Sequence, residues 1–97
     1  MHRGEYVFCI GFEGSTAIVD GRLQRRYGSY STRQLAEEGL FKQALCSAVW
    51  SGKPEELAEV FAIFNQKTAA PVRTAEELAR MYGVSGVPEG VKKVTIV

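Results

Sequence analysis

Apolar positions recur first at a period of two and later at a period near 3.6, and that change divides the chain. Glu5-Tyr-Val-Phe-Cys-Ile-Gly-Phe12 sets Tyr6, Phe8, Ile10 and Phe12 on one face and Val7, Cys9 and Gly11 on the other. Both faces are apolar or nearly so, which reads as a central strand. Glu13-Gly14-Ser15 supplies a turn and Thr16–Asp20 a second strand, and Asp20-Gly21 is a tight-hairpin signal because glycine tolerates positive φ. Leu23–Tyr27 then completes a three-stranded N-terminal β-meander. In that meander Leu23, Arg25 and Tyr27 share one face while Arg22, Gln24 and Arg26 share the other.

The longer period begins at Ser31-Thr-Arg-Gln34, a capping box that opens a helix near Thr32 and carries it toward Trp50. Gly39 interrupts this run at a cost of about 1 kcal/mol relative to alanine, so it predicts either a kink or two shorter helices. Pro54 starts the next helix, with Glu55 and Glu56 at its positive end and Leu57, Val60, Phe61 and Phe64 as its apolar stripe. Thr74-Ala-Glu-Glu77 is a second capping box, whose helix runs through Tyr82 and stops at Gly83. Val91–Val97 is a closing strand, expected beside the first. The pattern predicts an α+β fold: an N-terminal meander, two to four helices on one face, and a C-terminal strand completing a small antiparallel or mixed sheet.

Composition narrows the function classes. A chain of 97 residues, 45% hydrophobic, supports one globular domain spanning residues 1–97. A net charge of +1 gives no global field, so any electrostatic role is local. Apolar runs are too short for a membrane span and Met1–Glu5 does not lead into a signal peptide, so a cytoplasmic chain without membrane contact is expected. Cys9 and Cys46 belong to no C-x-x-C pair and read as buried small hydrophobes. His2 is the only histidine and Asp20 the only aspartate, so neither a metal site, a cofactor nor a catalytic set is expected, and an enzyme is the less favoured reading.

Two short segments resemble known families. Ile10-Gly-Phe-Glu-Gly-Ser-Thr16 is similar to the first phosphate-binding hairpin of the actin and sugar-kinase superfamily, and that resemblance implies nucleotide binding at the Gly11–Thr16 turn. It covers about a sixth of the chain, with Glu13 where the superfamily has aspartate. Tyr82-Gly-Val-Ser-Gly-Val-Pro88 resembles the loop of thioredoxin-like proteins that presents a cis-proline. The dithiol which that loop serves is missing here, so a trans proline is expected at Pro88.

The feature with the most chemical content is basic. Residues 21–36 hold four arginines, Arg22, Arg25, Arg26 and Arg33, with Tyr27 and Tyr30 and no carboxylate. Two readings stay open. In one, these arginines are a solvated hairpin edge paired with Glu37, Glu38 or Glu89. In the other, the six residues form a contact surface for a partner protein or a second copy of the chain, since arginine forks match carboxylates and tyrosines fill pockets. Homodimerisation through the apolar edge of Val94–Val97 fits the second reading, and nucleic-acid binding through the same arginines is its alternative.

Overall fold

The computed structural model describes residues 1–97 and is α+β, with six helices and a three-stranded mixed sheet. The chain order is α1 (Arg3–Val7), β1 (Cys9–Glu13), β2 (Thr16–Val19), α2 (Gly21–Tyr27), α3 (Thr32–Glu37), α4 (Phe41–Ser51), α5 (Pro54–Lys67), α6 (Ala75–Met81) and β3 (Lys93–Ile96).

The N-terminal apolar run is not one strand. The His2 amide donates to Glu5 Oε1 at 2.8 Å and closes a helical turn, which swings Tyr6, Val7 and Phe8 together into the core. The strand starts only at Cys9, carries a bulge between Cys9 and Gly11, and pairs antiparallel with β2. Two apolar faces therefore reflect a buried helical turn followed by an edge strand, not a central strand.

The central strand is β2, which has β1 on one side and β3 on the other. One face of β2, with Ala17 and Val19, is fully buried, while Thr16 and Ile18 on the other face are half-buried. The closing strand lies parallel to β2 rather than beside β1. It is fixed at both ends of β2: the Lys92 amide donates to Ser15 O at 2.8 Å, the Val97 amide to Val19 O at 2.9 Å, and the Gly21 amide to Val97 O at 3.0 Å. A parallel neighbour needs a crossover, and the helices α2–α6 supply it.

The expected third strand is a helix. Asp20 does not make a hairpin turn; its Oδ1 accepts the amides of Arg22 and Leu23 at 3.1 Å each and caps α2. Residues 22–27 contain no β-branched side chain, and Leu, Arg and Gln are good helix formers, so the cap decides the outcome.

The run from Thr32 divides at Gly39, whose φ of 82° is left-handed. The Gly39 amide donates to Ala36 O and the Leu40 amide to Leu35 O, both at 3.0 Å, which is a Schellman end. Gly83 ends α6 in the same way, with its own amide on Arg80 O at 3.1 Å and the Val84 amide on Ala79 O at 2.8 Å. These two stops fix where the chain leaves the helical layer.

Helices α3, α4 and α5 pack on one another, α1 bridges α4 and β2, and α6 rests on α5. Their shared core includes Phe8, Leu35, Leu45, Val60 and Leu78. Phe64 meets Phe41 edge to face at 5.0 Å and Tyr82 at 6.4 Å. Of the α5 stripe, Val60 and Phe64 are buried and Leu57 packs at the margin, while Phe61 stays half-exposed. No helix is long and apolar enough to cross a membrane.

Candidate functional site

The helical conformation of residues 21–27 changes what the arginines are. On a strand they divide between two faces. At 3.6 residues per turn, positions i, i+3 and i+4 fall within an arc of about 100°, so Arg22, Arg25 and Arg26 point the same way. All three are exposed, while Leu23 and Tyr27 on the flanking side pack against the core. None of the three forms an ion pair, since the salt bridges of the molecule are His2 with Glu5 and Arg33 with Glu37.

The rest of the six residues divide. Arg33 lies on α3, donates through Nε to Glu37 Oε1 at 2.8 Å, and has its pKa raised by that bond and by the charges of Glu37 and Glu59. It is spent on a surface pair. Tyr27 and Tyr30 stack edge to face at 5.1 Å and are half-buried against the core, so they support the surface rather than cover it. Arg26 is tied to them, with its guanidinium carbon 5.2 Å from the Tyr27 ring centroid.

Apolar surface adjoins the arginines. A Cβ at Gly21 would lie 2.6 Å from Ile96 Cγ2 and 3.2 Å from Arg25 Nη1, so glycine lets the end of β3 and the Arg25 fork settle on the same spot. Ile96 is 57% exposed and Val97 68%. The face is therefore a cationic helix beside an uncovered apolar strand end.

Arg3 shapes this surface from below. Its guanidinium donates to Gly28 O at 3.3 Å, to Tyr30 O at 2.7 Å and to Ser47 Oγ at 2.9 Å. Ser47 Oγ is 2.7 Å from Thr32 Oγ1, and Thr32 donates to Glu56 Oε1. Two hydroxyls thus link an arginine on α1 to a glutamate on α5 and pin the α2–α3 turn to both. An open polar cavity of about 290 Å³ lies along this chain, with Ser29, Ser51 and Trp50 also in its wall. Nothing in the linear spacing of Arg3, Thr32, Ser47 and Glu56 announces it.

A second cavity, of about 160 Å³, opens between β1 and the 83–88 loop. Tyr6, Cys9 and Cys46 meet there, which separate inspection of the two cysteines missed. Tyr6 Oη donates to Ser85 O at 3.0 Å and Cys9 Sγ to Gly11 O at 3.2 Å. Burial, helped by Cys46, pushes the Tyr6 hydroxyl up to about 12. Burial likewise pushes the Cys46 thiol up to about 11, against the opposing pull of Lys42. Both groups keep their protons at neutral pH, so neither is an activated nucleophile. The loop contains no cis peptide.

The Gly11–Thr16 turn is a tight hairpin, with Glu13 paired to Thr16 and Gly14 at φ 62°. Ser15 O is committed to Lys92 and Lys93, and Glu13, Gly14 and Ser15 line neither cavity. Comparison with known protein families, curated proteins and solved structures finds no match to this chain.

Proposed function

We propose that this chain is a contact module that binds a second protein through the exposed face of α2 and the adjoining end of β3, taking an acidic surface with an apolar centre. The observation that carries the reading is the placement of Arg22, Arg25 and Arg26 on one side of a single helix without carboxylate partners, next to exposed Ile96. Arginine with apolar surface is the composition of protein interfaces. A nucleic-acid surface would need cations extended along a backbone and rings free to stack. Here the cations lie within little more than one helical turn, Tyr27 and Tyr30 are packed inward, and Lys92 and Lys93 sit at the far end of β2.

The test is fluorescence anisotropy with a labelled helical peptide bearing one glutamate face and one leucine face, run beside a labelled oligonucleotide. Wild-type protein is expected to bind the peptide, and the triple variant Arg22→Ala, Arg25→Ala, Arg26→Ala to lose that binding. Oligonucleotide binding that weakens steeply between about 50 and about 200 mM salt would transfer the face to nucleic acid. A concentration-dependent dimer in sedimentation, abolished by the same variant, would make the partner a second copy. Equal peptide binding by wild type and the triple variant refutes the reading.

A further inference from the structure

The geometry points to a second site, independent of α2: the cleft between β1 and the 83–88 loop binds a small carboxylate with an apolar body about the size of one ring. Four observations bear on it. First, size. The cavity of about 160 Å³ is close to the engineered apolar cavity of about 150 Å³ that accommodates benzene. Second, the mouth is apolar and uncovered, since Ile10 is 56% and Phe12 52% exposed and both line the cleft. Val87, also exposed, lies between the lining residues Gly86 and Pro88. Exposed apolar side chains gathered about a concavity mark a binding site more often than scattered ones do.

Third, the charge in the cleft has one sign and one source. Lys42, in the first turn of α4, is the only charged side chain that lines it, and Lys42 takes part in no ion pair. No carboxylate lines the cleft either, so the ammonium has no protein counter-ion there. Fourth, two of the other polar side chains in its wall are already engaged within the protein. Tyr6 Oη donates to Ser85 O, and Cys9 Sγ to Gly11 O. With the Tyr6 and Cys46 protons retained, neither opposes Lys42, which is the one charged side chain of the lining and draws an anion. An apolar slot with a single cation at its wall is complementary to a ligand with an apolar body and one carboxylate, and the size of the slot sets the body at about one ring.

Ligand binding is to be followed by amide chemical shifts and melting temperature, with benzoate as the probe and benzyl alcohol as its neutral counterpart. Benzoate is expected to saturate, to raise the melting temperature, and to shift the amides of Gly11, Cys46 and Gly83–Gly86. Lys42→Met is expected to weaken benzoate by about tenfold or more while Lys42→Arg retains it, because a bond to a charged group is removed in one and kept in the other. A bound ring should also slow alkylation of Cys9, a readout that needs no variant. The triple arginine variant should bind benzoate as wild type does, so failure of the α2 reading leaves this result unchanged. Benzyl alcohol binding as well as benzoate, Lys42→Met binding undiminished, or shifts that map outside the cleft would each overturn the assignment.

Discussion

Asp20→Ala tests the step on which the surface depends. In the wild type, one carboxylate oxygen accepts the amides of Arg22 and Leu23 at 3.1 Å each, filling two of the unsatisfied donors at the start of α2. Alanine leaves both without a protein acceptor. Loss of an N-cap of this kind costs about 1 kcal/mol, within a range of roughly 0.5–2. For a domain of this size that corresponds to a fall in melting temperature of about 4–8 °C. The seven-residue helix cannot hold itself without its cap and its packing, so the amides of residues 21–27 should also exchange faster. Asp20→Asn keeps the accepting oxygen and should lose only a few tenths of a kcal/mol. The assay is urea and thermal denaturation of the three proteins, with hydrogen exchange on α2. If Asp20→Ala unfolds where wild type does, or if Asp20→Asn is as costly as Asp20→Ala, the cap is not what makes this segment helical.

Three further outcomes follow from the interior. Tyr6 and Cys46 have folded-state pKa values raised from 10.0 to about 12 and from 9.0 to about 11, so the folded state resists losing these protons and the unfolded state does not. Stability should be level up to about pH 9 and then fall as the pH rises toward 12, with Tyr6→Phe removing the upper part of that fall in a melting series against pH. Arg3→Lys keeps the charge but loses the fork that serves Gly28 O, Tyr30 O and Ser47 Oγ; a loss of about 1–3 kcal/mol in urea titrations is expected, and an unchanged midpoint would contradict it. Gly28→Ala would place a Cβ 2.4 Å from Gln24 O, a backbone atom that cannot step aside, and should cost about 1–3 kcal/mol by the same titration, whereas a neutral or stabilising effect would show that the turn relaxes.

Where local chemistry alone decides the structure, the sequence was readable. The Ser31 and Thr74 caps, Pro54 at the start of α5, and the breaks at Gly39 and Gly83 each depend on a few neighbouring residues, and each is found where its signal lies. The α+β class, with helices between early strands and a closing one, followed from the same signals. Where two local signals compete, the pattern misled. Asp20-Gly21 serves a hairpin or an N-cap equally well; the structure uses the cap, with Gly21 held against the end of β3. The apolar run Tyr6–Phe8 fits a strand buried on both sides as well as a buried helical turn. Strand order was not legible, because the parallel pairing of β2 with β3 is set by hydrogen bonds across more than seventy residues, from Ser15 to Lys92.

The site was legible in part for the same reason. The arginines were conspicuous in composition, but their gathering on one face depends on the period of the segment, which changed from two to 3.6. Arg33 carries the same charge and yet is paired, because α3 sets Glu37 one turn away from it. The two cavities had no linear signature. Cys9 and Cys46 share a cleft because α1 packs on α4 and leads directly into β1, and Arg3 reaches Ser47 through the same packing.

The central claim is that Arg22, Arg25 and Arg26 act with Ile96 as one protein-binding face, and an NMR titration of wild-type protein with the acidic amphipathic peptide tests it most directly. The account predicts that the largest amide shifts fall on residues 21–27 and on Thr95–Val97, growing together to saturation. Shifts confined to the Gly11–Thr16 hairpin, or dispersed without saturation while α2 stays silent, would contradict it.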